Sequence, residues 1–287
     1  MQIIHTISDL RIALKSKANI GFVPTMGNLH AGHIHLVELA RQHATLVVVS
    51  IFVNPLQFGV NEDLASYPRT LAEDCERLKA AGTDIVFAPN VLDMYPDFDG
   101  NHLNQTMTVT PPAIADVLCG ASRPGHFTGV ATIVMKLLNI VQPTLAVFGK
   151  KDYQQLLIIK EMVRQFNMPT EIIAGETMRE PSGLAMSSRN GYLNEAQRSQ
   201  AAQLNQALQH VASAIKMGNR DYHALENHAT QQLNQANWQV DYFAICSALT
   251  LQAAQISNKH LVILAAAKLS NKLSGQTRLI DNLEVQL

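Results

Sequence analysis

The first 175 residues alternate between short apolar runs and segments with helical spacing. Ile20-Gly21-Phe22-Val23 reads as a strand ending at Pro24, and a loop leads from it into a predicted helix over Ala31 to His43. Leu46 to Val53 is β-branched and almost wholly apolar, the pattern of a strand buried on both faces. A helix over Pro68 to Ala81 closes at Gly82, and Asp84 to Ala88 gives the next strand. Ala131 to Val141 and Tyr153 to Phe166 have helical patterns, while Leu145 to Phe148 and Glu171 to Ala174 read as strands. Alternation of this kind calls for a parallel sheet covered by helices on both faces.

After Gly175 the pattern changes. Asn194 opens a long Gln- and Ala-rich helix that carries Leu204, Leu208, Val211 and Ile215 on one face and stops at Gly218. A second helix spans Asp221 to Asn234, and three strand candidates follow over Gln239 to Ile245, Leu261 to Ala266 and Thr277 to Val285. Two helices and then three strands make an α+β arrangement. The sequence therefore predicts a doubly wound α/β domain over residues 1–175 and a smaller α+β domain over 176–287.

With 47% apolar residues among 287, the chain has ample material for a core, which excludes disorder as its dominant state. Lys and Arg number 22 against 23 for Asp and Glu, and no run of five like charges occurs. A dedicated nucleic-acid binder shows a basic stripe, and this chain has none, so the balance leaves room only for small phosphorylated ligands. Cys75, Cys119 and Cys246 are odd in number and widely spaced, which argues against a zinc ribbon or a disulfide framework. The first twenty residues carry Asp9 and Lys15 within their apolar pattern and lack a signal-peptide core. No stretch approaches 18 uninterrupted apolar residues, so a soluble, cytoplasmic protein is expected.

Candidate chemistry gathers where strands end, the place open α/β sheets bind ligands. In Pro24-Thr25-Met26-Gly27-Asn28-Leu29-His30-Ala31-Gly32-His33, two histidines flank a glycine as a helix starts. Helix-start N–H groups attract phosphate, and the positive dipole end disfavours imidazolium, so neutral imidazoles here suit donation to phosphate oxygens. Plain loop histidines, or a metal site made with His35, are the alternatives. No Glu or Cys accompanies them, so no metal site is expected. The buried second strand delivers Asn54 and Gln57 to its end, amides that suit a hydroxyl or carboxylate.

Three further segments draw attention. Phe148-Gly149-Lys150-Lys151-Asp152-Tyr153-Gln154-Gln155 places two lysines after a strand-ending glycine, with Asp152 as a helix cap or a ribose acceptor. Gly183-Leu184-Ala185-Met186-Ser187-Ser188-Arg189-Asn190, at the domain boundary, combines hydroxyls with a guanidinium, which suits triphosphate oxygens or simply a linker. In Arg123-Pro124-Gly125-His126-Phe127, His126 either braces the loop or touches substrate.

His30-Ala31-Gly32-His33 resembles the HxGH signature of nucleotidyltransferases and class I aminoacyl-tRNA synthetases. The wider string VPTMGNLHAGH, with FVNPLQF, RPGHFTGV, KDYQQ and GLAMSSRN following in order, resembles the pantothenate synthetase (pantoate–β-alanine ligase) family over essentially the whole chain. Asp63, Tyr67 to Thr70 and Asp74 are similar to family features and read as structural. The family pattern before the Asp is commonly G-E-K, so Lys150 departs from it. The Ser-Ser-Arg loop lacks the lysine of the otherwise similar synthetase loop.

The resemblance implies a Rossmann-like first domain, a C-terminal lid domain and ATP-dependent joining of pantoate to β-alanine, with Mg²⁺ on the triphosphate and a homodimer built on the first domain. It implies catalytic roles for His30, His33, Lys151 and Arg189. It implies ATP contacts from Met26 to His33, from Gly149 to Asp152, from Met178 and from Met186 to Arg189. Gln57, Gln155 and Asn54 would hold pantoate, with Gln57 and His126 near β-alanine. Another HxGH nucleotidyltransferase is the alternative, separated by whether AMP is released or kept in the product.

Overall fold

The computed structural model describes residues 1–59, 64, 67–271 and 275–287, so Asp63 lies outside the described residues. Contacts divide the chain into two compact units, Met1–Gly149 with Gln155–Gly175, and Lys150–Gln154 with Glu176–Leu287. Residues 150–154, which strand–helix alternation assigns to the first part, thus group with the second.

The first unit runs β1 (Gln2–Ile4), α1 (Ile7–Leu14), β2 (Ile20–Thr25), α2 (Ala31–His43), β3 (Leu46–Ile51), α3 (Leu71–Ala80), β4 (Ile85–Phe87), α4 (Val91–Met94), α5 (Cys119–Ser122), α6 (His126–Val141), β5 (Leu145–Gly149), α7 (Tyr153–Gln165, its start lying in the second unit) and β6 (Glu171–Gly175). All six strands are parallel, in the order β1-β4-β3-β2-β5-β6. From the central β2 the chain fills one side of the sheet with β3 and β4, then the other with β5 and β6. Its direction of winding therefore reverses between β2 and β5, and ligands of such Rossmann-like sheets bind beyond the carboxyl ends of strands at that point.

Alternate residues of each strand feed two cores. Phe22, Val48, Phe87 and Phe148 pack with α1, α6 and α7, whereas Val23, Val49, Val86 and Val147 pack with α2 and α3. This double burial explains why the central strands read as continuous apolar runs. The second unit adds α8 (Glu195–Ala201), α9 (Gln203–Lys216), α10 (Tyr222–Gln235) and the antiparallel sheet β7 (Trp238–Ser247), β8 (His260–Asn271), β9 (Gly275–Gln286). Leu208 and Ile215 of α9 and Leu233 of α10 meet Trp238, Ile263 and Val285 of that sheet.

Some sequence expectations shift. The helix expected from Asn194 to Gly218 is two helices meeting at Ala202. Gln200 donates to the Ala236 carbonyl before the break, and Gln203 accepts from the Trp238 indole after it. The strand expected to end at Pro24 continues to Thr25, whose carbonyl accepts from Phe52 N–H. The helix expected from Ala131 starts at His126, after the left-handed Gly125, because tertiary burial of Phe127 and Gly129 outweighs their weak propensity. The pair β1 and α1 went unread, although Thr6 accepting from Asp9 N–H is a legible helix-start signal. Among the described residues no helix is long and apolar enough to cross a membrane, and Cys75, Cys119 and Cys246 form no disulfide.

One polar cluster is built into the second unit. Arg179 grips Asp281 with two bonds of 2.7 and 2.9 Å, and Asp281 also accepts from Asn205 and its neighbour's N–H while only 4% exposed. Removing one partner of such a pair strands the other, at a cost of about 3–5 kcal/mol. Asp281→Ala should lower the unfolding free energy by that amount in urea titration.

Candidate active site

In the first unit, β2 opens into a turn whose backbone is left-handed at two successive residues, Gly27 at φ +83° and Asn28 at φ +50°. A side chain on Gly27 would meet Asp74 and Ile51 at 3.1 Å. Asp74, almost fully buried on α3, accepts from Asn28 N–H at 2.9 Å, Leu29 N–H at 2.8 Å and the Thr70 hydroxyl at 3.0 Å. Arg77, one turn on, donates to the Leu29 carbonyl. Asp74 thus holds the turn in place, in keeping with its structural reading from sequence.

The turn delivers His30 and His33 to the start of α2. His30 Nδ1 accepts from Gly32 N–H at 3.1 Å, and His33 Nδ1 accepts from His30 N–H at 3.3 Å. A backbone N–H can only donate, so both Nδ1 atoms carry lone pairs and each proton sits on Nε2. The rings lie 4.1 Å apart between centroids. Two neutral imidazoles with the proton on Nε2 thus stand at a helix N-terminus, an arrangement whose chemistry suits an anion.

Asn54 and Gln57, both buried, flank the turn after β3. Asn54 Oδ1 accepts from Leu56 N–H, while its Nδ2 donates to Gln57 Oε1 at 3.1 Å and to the Gly129 carbonyl at 3.2 Å. Gln57 Nε2 lies 3.2 Å from Met26 Sδ, so these two expected site residues adjoin. His126 Nδ1 is 2.9 Å from the Gln57 carbonyl and Nε2 is 2.9 Å from Arg123 Nη1. Guanidinium only donates, so Nε2 accepts and Nδ1–H holds the Gln57 main chain, as the bracing alternative requires. Gln155 sits half-buried on the first turn of α7. Sequence reading missed Tyr95, fully buried, whose hydroxyl donates to Asn54 Oδ1. It lies 41 residues away in sequence, and no local pattern links the two.

Of the remaining expected residues, Gly149 ends β5 in the first unit and the others lie in the second. Lys150 Nζ stands 2.6 Å from both Glu176 and Glu284, so the extra charge at this departure from the family pattern is met by two carboxylates. Burial works against the charged Lys150, yet those carboxylates carry its pKa above the ordinary lysine range. Burial likewise pushes Glu284 up, and the bonds from Lys150 and Tyr153 more than reverse it. Asn282 donates to the Lys150 and Lys151 carbonyls at 2.9 and 2.8 Å, which fixes the main chain around Lys151. Lys151 Nζ itself lies 4.0 Å from Asp152.

Met178 and Met186 are joined through Met186 N–H to the Met178 carbonyl, closing a hairpin that turns at the left-handed Gly183. Ser187 Oγ accepts from Arg189 N–H and caps the short turn Ser188–Tyr192. The half-buried Arg189 guanidinium forms no ion pair among the described residues. Among the described residues no three His, Cys, Asp or Glu side chains gather as cation ligands.

A doubly wound parallel sheet with paired neutral histidines at a helix start beyond its central strand defines the class, an α/β enzyme of the HxGH type. The family model described as pantoate-beta-alanine ligase matches residues 2–284. A pantothenate synthetase from Methylobacillus flagellatus is 61% identical over 284 residues, covering 99% of this chain and 98% of the relative. The crystal structure of pantothenate synthetase from Thermus thermophilus superposes with a TM-score of 0.91 at 40% identity, covering 100% of both chains. A pantoate–β-alanine ligase from Francisella tularensis, solved with β-γ ATP and β-alanine, gives a TM-score of 0.79 at 34% identity, covering 99% and 97%. The chain belongs to the pantoate–β-alanine ligase family.

The Lys150–Glu284 contact sets a pH dependence. Because the folded pKa of Glu284 lies below its unfolded value, its contribution to stability is complete above the usual glutamate pKa of about 4.3 and fades as pH falls through the folded value. The urea midpoint should therefore drop more steeply between about pH 5 and pH 3 in the native protein than in Glu284→Gln.

Proposed function

We propose that this enzyme condenses (R)-pantoate with β-alanine in two steps through a pantoyl adenylate. In the first, a pantoate carboxylate oxygen attacks the α-phosphorus of ATP, the α,β-bridging bond breaks and pyrophosphate leaves. In the second, the neutral amine of β-alanine attacks the acyl carbon, the acyl–phosphate bond breaks, AMP leaves and the amine sheds a proton. The observation that carries this reading is the pair of Nδ1-capped histidines, which leaves donors rather than cations at the phosphate end of the first unit's sheet.

A carboxylate approaching a polyphosphate must overcome like-charge repulsion, and fixed donors at the developing charge are the main device for that. His30 and His33 would serve the α-phosphate oxygens through Nε2–H. Lys151, Ser187, Ser188 and Arg189 of the second unit would take the remaining phosphate charge. Met26 to Leu29, Ala31, Gly32, Gly149, Asp152, Met178 and Met186 would line the nucleotide, with the Lys150 ammonium held by its two carboxylates. Gln57, Asn54 and Gln155 would hold pantoate, with β-alanine near Gln57. His126 would act by bracing the Gln57 main chain. Mg²⁺ would travel on the triphosphate, its ligands phosphate oxygens and water, since among the described residues no three His, Cys, Asp or Glu side chains converge to seat it. We further propose a cytoplasmic homodimer.

Mass spectrometry of products from ATP, pantoate and β-alanine, with each left out in turn, tests the reaction. AMP and pantothenate should appear only with all three, and pyrophosphate without β-alanine. A product that retains the nucleotide with all three present would overturn the reading. His33→Ala should lower kcat and kcat/KM together by about 10²–10³, the usual loss for one preorganised donor, while ATP affinity stays within about threefold. His33→Gln, whose amide both accepts from the His30 N–H and donates outward, should recover part of the rate.

A further inference from the structure

We infer that Tyr95 acts with the bare main chain at Gly129 to fix which end of the Gln57 amide faces the ligand, so that this position recognises only hydrogen-bond acceptors. The inference rests on the reading of Gln57 as a pantoate contact and adds the device that sets its polarity. An amide side chain has a donor end and an acceptor end of nearly the same shape, and its neighbours decide which points where.

Two main-chain groups settle the matter for Asn54. Leu56 N–H can only donate, so the Asn54 atom facing it at 3.3 Å is Oδ1. The Gly129 carbonyl can only accept, so the atom facing it at 3.2 Å is Nδ2. That same Nδ2 meets Gln57 at 3.1 Å, so the inward end of Gln57 is Oε1 and the outward end is its NH₂ group. The outward amide rests against Met26 Sδ, a weak acceptor that a carboxylate or hydroxyl oxygen readily displaces.

Tyr95 locks the arrangement from behind. Its hydroxyl donates to Asn54 Oδ1 by a contact shorter than the one from Leu56, and burial keeps the phenol protonated. The Lys136 ammonium lies 4.6 Å from the centre of the Tyr95 ring, drawing electron density from it and strengthening the O–H donor. Gly129 allows the close approach: a Cβ there would lie 2.4 Å from the Leu56 carbonyl oxygen and 2.6 Å from Gln57 Cα. The order of bonds is Tyr95 O–H to Asn54, Asn54 N–H to Gln57, Gln57 N–H to ligand. Each link points the same way, and reversing either amide would set two donors or two acceptors face to face.

Tyr95 is therefore a positioning residue for substrate rather than a catalytic one. Steady-state kinetics of the full-length enzyme on Tyr95→Phe, Gln57→Ala and the double variant test it, with thermal melts confirming that each folds. Tyr95→Phe keeps the ring and its packing but removes one of the two donors that hold Asn54 Oδ1, loosening the amide that orients Gln57. It should raise the pantoate KM about tenfold, in line with loss of one buried hydrogen bond, and leave the ATP KM within about twofold. In the Gln57→Ala background the same change should add less than about twofold, because Tyr95 then has no amide to orient. An unchanged pantoate KM in Tyr95→Phe, or an equal effect of that change with and without Gln57, would overturn the inference alone. A Gln57→Ala enzyme with normal pantoate KM would overturn the substrate reading of Gln57 and this inference with it.

Discussion

The first unit turns on one carboxylate. Asp74 takes the two N–H groups of Asn28 and Leu29 that a doubly left-handed turn would otherwise leave without a partner. A buried polar group without a partner costs on the order of 1–3 kcal/mol, so the unusual backbone at Gly27 and Asn28 stands only because α3 answers it. The direction in which the chain enters α2 follows from that turn, and with it the placing of His30 and His33. A helix that carries no expected phosphate ligand thus decides where those ligands stand.

Much of the first unit was legible because each strand is buried on both faces and each helix on one. The bounds of α2 follow from the pattern alone, since His30 and the turn before it break the apolar period cleanly. What escaped was of two kinds. β1 has three residues and no periodicity to show, and it exists through pairing with β4. The split falls at the alanine pair Ala201-Ala202, where local propensity favours a continuous helix and contacts on either side decide otherwise.

The candidate site divides in the same way. Strand ends and small residues marked out Met26 to His33, Asn54 and Gln57, because the chemistry there sits in consecutive residues. Tyr95 carried no signal, and Gly129 was marked only as part of RPGHFTGV, since their roles arise only when residues 41 and 75 positions from Asn54 close on it. Lys150 shows the converse. Its departure from the family pattern looked like an added charge, and Glu176 and Glu284, neither flagged by any motif, absorb it within the second unit.

The capping geometry at α2 ties protonation to architecture. His33 Nδ1 is at once the acceptor that closes the helix start and the atom that would gain a proton in acid. Protonating it would set Nδ1–H against the His30 N–H, and protonating His30 would do the same against Gly32. Charge on either ring would therefore cost the start of α2 one of its two side-chain caps. One ring nitrogen in each histidine thus serves two ends at once: it closes the helix start and fixes the tautomer that leaves the proton on the other nitrogen.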